Sequence, residues 1–81
     1  MTVTLTLYGR QFCHLCYAME RDLEPYRARH GFELAVVDID SNADLVGAYG
    51  QYVPVLMAGD TQLCHYQLDR DVLDAYIKKM Q

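Results

Sequence analysis

The spacing of the hydrophobic residues changes early in this 81-residue sequence, and the change restricts the folds that are open to it. Val3, Leu5 and Leu7 alternate with threonines, which is the pattern of a β-strand with one buried face. From Cys13 onward the apolar residues recur at helical spacing. These residues are Cys16, Met19, Leu23 and Tyr26. The chain therefore begins with a strand that leads almost directly into a helix.

Two residues predict how this first helix is shaped. Pro25 lacks the amide that would bond back one turn, so we expect a kink there or a fresh helical start near residues 23–24. Gly31 follows the basic residues at the end of the helical pattern and predicts its end.

The middle of the chain repeats the order of strand and helix. Residues 32–39 are apolar on both faces over much of their length, which predicts a buried strand of a parallel sheet. Ser41 and Asp44 resemble a capping box at the start of a short helix, which ends at Gly50.

The last part of the chain predicts a hairpin and a helix. Residues 52–58 form a strand with Pro54 near its beginning, and Gly59-Asp60 turns the chain into a returning strand over residues 62–66. Asp69 caps the last helix. The apolar stripe of that helix consists of Val72, Leu73, Tyr76, Ile77 and Met80.

The predicted order is β-α-β-α-β-β-α over residues 1–81, as one domain of the α/β class. The first two strands are joined through a helix, so we expect them to be parallel with a right-handed crossover. A second crossover leads to the third strand, and the hairpin places the fourth strand antiparallel at an edge. The expected architecture is a four-stranded mixed sheet with helices on both faces.

Charge and cysteine content narrow the possible functions. The formal net charge of −4 argues against a nucleic-acid partner, and no stretch is long and apolar enough for a membrane span. An odd count of three cysteines does not suit a secreted disulfide framework. We therefore expect a cytoplasmic protein, in which a C-x-x-C pair is more often catalytic or metal-binding than structural.

The sequence Cys13-His14-Leu15-Cys16 lies where the first strand passes into the first helix. Residues three apart share a helical face, so the two sulfurs can meet. Cys13 lies in the first turn, where free amides and the helix dipole favour a thiolate, so it is the candidate nucleophile. Cys16 lies deeper and is the candidate resolving cysteine.

The residues around the two cysteines leave alternatives open. Arg10 and a protonated His14 could stabilise the thiolate, although an exposed histidine at a helix start is often only solvated. Leu15, Phe12 and Tyr8 could form an apolar docking surface, or Phe12 and Tyr8 could pack under the loop.

Other candidate groups have simpler interpretations. Cys64 is interpreted as a small core thiol rather than as part of a metal site with Cys13, Cys16 and a histidine, and no metal ligand is predicted. Asp38 and Asp40 end a strand, where turn and capping roles are expected.

Several of these segments together resemble the glutaredoxin-like branch of the thioredoxin superfamily. The matching segments are Tyr8-Gly9-Arg10 before the Cys13-to-Cys16 motif, Val37-Asp38-Ile39-Asp40, and Val53-Pro54-Val55. The resemblance implies a thioredoxin-like fold, a cis Pro54 that faces the first cysteine, and a Val53 backbone that holds the substrate chain. The candidate substrate-binding residues are therefore Val53, Pro54, Arg10, Phe12, His14 and Leu15.

The chain departs from that family at the glutathione site. Gln67-Leu68-Asp69-Arg70 stands in place of its Gly-Gly turn, which makes a close backbone approach by glutathione difficult. Glutathione therefore stays open as a co-substrate but is disfavoured, and no cofactor is expected. The predicted function is thiol–disulfide exchange with a protein or small-molecule disulfide, by a monomer. The alternative is a thioredoxin-fold binding module or a metal or iron–sulfur carrier.

Overall fold

A computed structural model describes residues 3–80 and contains the predicted strands and helices in the predicted order. The strands are β1 (Thr4–Gly9), β2 (Glu33–Asp38), β3 (Val55–Ala58) and β4 (Thr61–His65). The helices are α1 (His14–His30), α2 (Ala43–Tyr49) and α3 (Arg70–Met80), and a single 3-10 turn (Ile39–Ser41) precedes α2. The boundaries of the strands lie within a few residues of those expected from the sequence.

The four strands form one mixed sheet in the order β2-β1-β3-β4. β1 is parallel to β2, whereas β3 is antiparallel to both β1 and β4. The mixed sheet and the antiparallel edge position of β4 confirm the sequence prediction. The crossover expected before the third strand is wrong, because β3 runs antiparallel to β1 and therefore also to β2. The expectation that β2 is buried on both faces is wrong, because β2 is also an edge strand and its Val36 is 57% exposed.

The main core lies between the sheet and two of the helices. Leu5 and Leu7 of β1 alternate inward, and α1 and α3 cover them on the same side of the sheet. The helix residues buried there are Met19, Leu23, Leu73 and Ile77. On the other face, Tyr49 of α2 stacks on Tyr8 of β1 with ring centroids 4.4 Å apart. Helices therefore lie on both faces, as expected.

α1 is one continuous helix, so the fresh helical start expected near Pro25 is wrong. Pro25 lies on the exposed side of α1, where water can bond the carbonyl oxygen of Arg21 that a residue with an amide would have bonded. The helix ends at Gly31, whose φ of 74° lies in the left-handed region and whose amide donates to the Arg27 carbonyl.

The N-terminal caps of the other two helices agree only partly with the sequence prediction. Asn42, not Ser41, caps α2, and its side-chain oxygen accepts from the Asp44 amide at 2.8 Å. Ser41 instead donates its hydroxyl to the carbonyl of Asp38 within the preceding turn. The cap predicted for α3 is confirmed, since the Asp69 carboxylate accepts from the Val72 amide at 3.1 Å.

The structure also contains the hairpin turn and the apolar stripe of α3 that the sequence predicts, with one exception in the stripe. Gly59 has a φ of 61° in the two-residue connection between β3 and β4, which confirms the predicted hairpin. Leu73 and Ile77 of the predicted stripe are buried, whereas Val72 is 38% exposed. Val72 therefore lies at the border of the packed face rather than within it.

Replacing Asp69 with alanine tests whether the cap of α3 supports the core. We expect Asp69→Ala to lower the free energy of unfolding by about 0.5–2 kcal/mol, because the first turn loses an amide acceptor while α3 carries two buried residues. Urea unfolding measures the change. Asp74→Ala removes an exposed carboxylate within the same helix and is expected to change stability little, so an equal loss in both variants would contradict the capping role.

Candidate active site

The antiparallel pairing of β1 and β3 brings two separate segments to one end of the sheet. Tyr8 pairs with Val55, so the residues that follow Tyr8 and those that precede Val55 lie at the same end. The first segment leads to Cys13 and the second contains Val53 and Pro54. The topology therefore places the predicted dithiol and the predicted substrate-binding segment side by side.

Cys13 is the N-cap of α1, and its sulfur serves as the capping acceptor. Its backbone is extended, with φ −106° and ψ 105°, and its Sγ accepts a hydrogen bond from the Cys16 amide at 3.1 Å. An acceptor at this position satisfies one of the free amides of the first turn, and negative charge there interacts favourably with the helix dipole. The local fold therefore stabilises a sulfur anion at Cys13.

Cys13 and Cys16 form a disulfide, with their Cα atoms 5.2 Å apart. The two sulfurs differ in access, because Cys13 is half-buried whereas Cys16 is only 6% exposed. Gly9 permits this burial, since a Cβ atom built on it would lie 3.2 Å from the Cys16 sulfur. A partner molecule can therefore approach Cys13 more easily than Cys16.

The residue before Cys13 has an unusual backbone conformation. Phe12 has a φ of 59°, which costs a residue with a side chain about 1–2 kcal/mol, and its ring is 94% exposed. Its amide donates to the hydroxyl of Tyr17 at 3.1 Å. The ring of Phe12 thus projects from the loop beside Cys13 instead of packing beneath it. Tyr8, by contrast, packs inward on Tyr49.

Arg10 forms an ion pair with the carboxylate of Asp40. Its guanidinium donates two hydrogen bonds to Asp40, one of them from Nε at 3.2 Å. These hydrogen bonds, together with the charge of Arg10, hold the pKa of Asp40 below its ordinary value. Asp38 accepts from the Asp40 amide, which agrees with the turn role expected for the two aspartates. The pair connects the loop before Cys13 to the turn after β2.

Pro54 is buried and follows a cis peptide bond from Val53, as the family resemblance implied. Tyr66 holds this segment from the side of β4, because its amide donates to the Pro54 carbonyl at 2.9 Å. Its hydroxyl donates to the Gln51 carbonyl at 2.7 Å. Val53 precedes β3, and within residues 3–80 it is not paired with a residue of a neighbouring strand.

Exposed apolar side chains lie on the segments that carry the dithiol and flank Pro54. Leu15, Tyr52 and Tyr66 are each almost half exposed, and Leu15 and Tyr66 line one shared depression. His14 is exposed at the start of α1. On the other side a cavity of about 240 Å³ reaches Cys16 and is walled by Tyr17 and Val36. The cavity beside Cys16 therefore has apolar walls together with polar ones, which include Arg10, Glu20 and Asp38.

Sequence reasoning missed Tyr17 and Tyr66. Both contribute through a hydroxyl that bonds the backbone of a loop, Tyr17 to Phe12 and Tyr66 to Gln51. The only available signal was position, since Tyr17 follows Cys16 directly and Tyr66 ends the predicted return strand. A tyrosine at either position has no motif that distinguishes it from an ordinary surface residue.

Cys64 is a buried thiol of the main core, and burial raises its pKa. This placement agrees with its interpretation as a small apolar residue. Residues 3–80 contain no group of three or more His, Cys, Asp or Glu side chains arranged to hold a metal ion. None of the helices in the same part of the chain has the length and hydrophobicity that a bilayer crossing requires.

Comparison with known proteins agrees with the geometry of this site. The family model described as glutaredoxin-like domain (DUF836) matches residues 4–78. The glutaredoxin-like protein NrdH of Salmonella typhimurium is 34% identical over an alignment of 71 positions, and the alignment covers 83% of each chain.

Two solved structures show the same fold. Protein Ne2328 from Nitrosomonas europaea is 45% identical, with a TM-score of 0.84 over 94% of this chain and 92% of that one. The NrdH-redoxin of Escherichia coli is 23% identical, with a TM-score of 0.61 over 96% and 95% of the two chains. With a matching family model and a curated relative over most of its length, the chain belongs to the glutaredoxin-like family of the thioredoxin superfamily.

Proposed function

We propose that this protein is a thiol–disulfide oxidoreductase in which Cys13 attacks and Cys16 resolves. The observation that carries the proposal is the hydrogen bond from the Cys16 amide to the Cys13 sulfur at the first turn of α1. In the reduced protein the same amide and the helix dipole favour the thiolate, which is the nucleophilic form of cysteine. The greater exposure of Cys13 supports its role in the first step.

The exchange takes place in two displacements. The Cys13 thiolate attacks one sulfur of a partner disulfide, forms a new S–S bond with it, and releases the other partner sulfur as a thiolate. The Cys16 thiolate then attacks the Cys13 sulfur and closes the disulfide seen in the structure. The second partner sulfur leaves as a thiolate, and both partner thiolates take protons from solvent according to their pKa values. Two electrons pass from the dithiol to the partner.

A protein disulfide is the partner that the surface favours. Phe12, Leu15 and Tyr66 present apolar area around Cys13, which a protein can cover on docking. Val53 lies outside the strand registers of residues 3–80, and the proposal is that its backbone pairs with an extended partner chain. The proposed setting is the reducing cytoplasm, where such a dithiol can be regenerated.

Glutathione is a poorer fit, because its carboxylates require cationic or amide partners. Arg10, the basic side chain of the loop before Cys13, donates two hydrogen bonds to Asp40, and the Asp40 carboxylate offsets its charge. The segment from Gln67 to Arg70 contains no glycine that would allow a close backbone approach. The proposed mechanism uses the two cysteines of this chain and needs no bound cofactor.

Trapping of a mixed disulfide tests the assignment of the two cysteines. Cys16→Ser removes the second displacement, so we expect the variant to stall as a covalent complex with a disulfide-bonded protein such as insulin. Non-reducing electrophoresis detects that complex, and mass spectrometry locates the link at Cys13. Cys64→Ala is the control, since Cys64 is buried in the core, and it is expected to turn over insulin as the unchanged protein does. A link at another cysteine, or no complex at all, would contradict the proposed roles.

Comparison of two reductants tests the partner assignment. We expect glutathione to reduce the disulfide of the unchanged protein no faster than 2-mercaptoethanol, an uncharged monothiol, at equal thiolate concentration, since a bound glutathione would gain roughly 1.5–3 kcal/mol from each charged hydrogen bond. Asp40→Asn frees Arg10 and is expected to raise the rate with glutathione alone. A rate with glutathione about tenfold or more above that with 2-mercaptoethanol in the unchanged protein would refute this partner assignment.

A further inference from the structure

Tyr17 makes two hydrogen bonds to the backbone of the neighbouring residues Phe12 and Cys13. Its hydroxyl accepts from the Phe12 amide at 3.1 Å, and its own amide donates to the Cys13 carbonyl at 3.2 Å. The amide bond is part of the regular helix and would be present with any residue at this position. The hydroxyl bond is different, because it depends on the tyrosine side chain reaching back over the loop.

The hydroxyl of Tyr17 stabilises a conformation that has little other support. Phe12 adopts a left-handed backbone that is unfavourable for a residue with a Cβ atom. Its ring is 94% exposed, so packing of the side chain does not compensate. Of the hydrogen bonds determined for residues 3–80, the one to Tyr17 is the bond that involves the Phe12 amide.

The conformation of Phe12 sets the direction in which the chain enters Cys13. Cys13 must be extended, with φ −106° and ψ 105°, for its sulfur to accept the Cys16 amide at 3.1 Å. When Phe12 leaves the left-handed region, the chain before Cys13 changes direction, and the capping geometry is held for a smaller fraction of the time. The thiolate then loses part of its stabilisation.

We propose that the Tyr17 hydroxyl is a positioning group that locks the loop before Cys13 and so keeps the Cys13 sulfur in its capping geometry. This inference rests on the proposed oxidoreductase function. Tyr17 does not touch the reacting sulfur through its hydroxyl; it acts through the Phe12 amide. The exposed ring of Phe12 is held in its projecting orientation by the same bond.

Tyr17→Phe is the decisive variant, because it keeps the ring that walls the cavity beside Cys16 and removes only the acceptor oxygen. We expect the rate of reaction of the reduced protein with an uncharged aromatic disulfide to fall about two- to ten-fold below neutral pH, as for loss of one neutral hydrogen bond. The pH midpoint of thiolate absorbance in the ultraviolet is expected to move upward. Hydrogen exchange of the Phe12 amide, followed by NMR, is expected to accelerate.

Tyr76→Phe is the matched control, since it removes a tyrosine hydroxyl on α3 and leaves the loop before Cys13 unchanged. It is expected to match the unchanged protein in all three measurements. If Tyr17→Phe also matches it in rate, pH midpoint and Phe12 exchange, the positioning role is wrong while the oxidoreductase function stands. If the unchanged protein does not react through Cys13, the proposed function fails, and the Phe12 exchange rate alone still decides whether the hydroxyl locks the loop.

Discussion

The cap of α1 is the interaction on which the site depends, and its acceptor is a sulfur atom. Most helices are capped by a side-chain oxygen, which has no further chemical task. Here the group that satisfies the Cys16 amide is also the proposed nucleophile, so one hydrogen bond contributes both to the start of the helix and to the chemistry proposed for Cys13. The surrounding structure supports that bond: Gly9 makes room for the second sulfur, and Tyr17 fixes the loop that leads to the first.

The ends of the sheet strands explain why these parts meet. β1 is central, so its end is adjacent both to the end of β2 and to the beginning of β3. Asp40 reaches Arg10 from the turn after β2, and Pro54 arrives from the segment before β3. The loop that carries Phe12 is therefore bonded to the turn after β2 and lies at the same end of the sheet as Pro54.

Hydrophobic spacing and turn residues were sufficient to predict the order of the strands and helices, whereas the direction of β3 and the competition between neighbouring polar side chains were not predictable. The alternation of Leu5 and Leu7 and the turn at Gly59 each had one physical interpretation, and both were confirmed. Ser41 and Asn42 are both good caps, and only the course of the turn decides that Asn42 reaches the free amide. Strand order also decided the exposure of β2, which an apolar sequence alone cannot indicate. The contact between Tyr17 and Phe12 depends on a left-handed residue, for which a phenylalanine gives no signal.

The charged residues at the two ends of β2 oppose pairing of this exposed edge strand with another copy of the chain. Val36 is exposed on β2, and an edge strand with apolar residues is a template for pairing with another chain. Two copies of β2 aligned antiparallel over their full length would set Glu33 of one opposite Asp38 of the other at both ends of the pair. Like charges directly opposite each other destabilise such a ladder. The acidic ends of β2 thus disfavour the growth of a continuous sheet between molecules, although the strand between them is apolar.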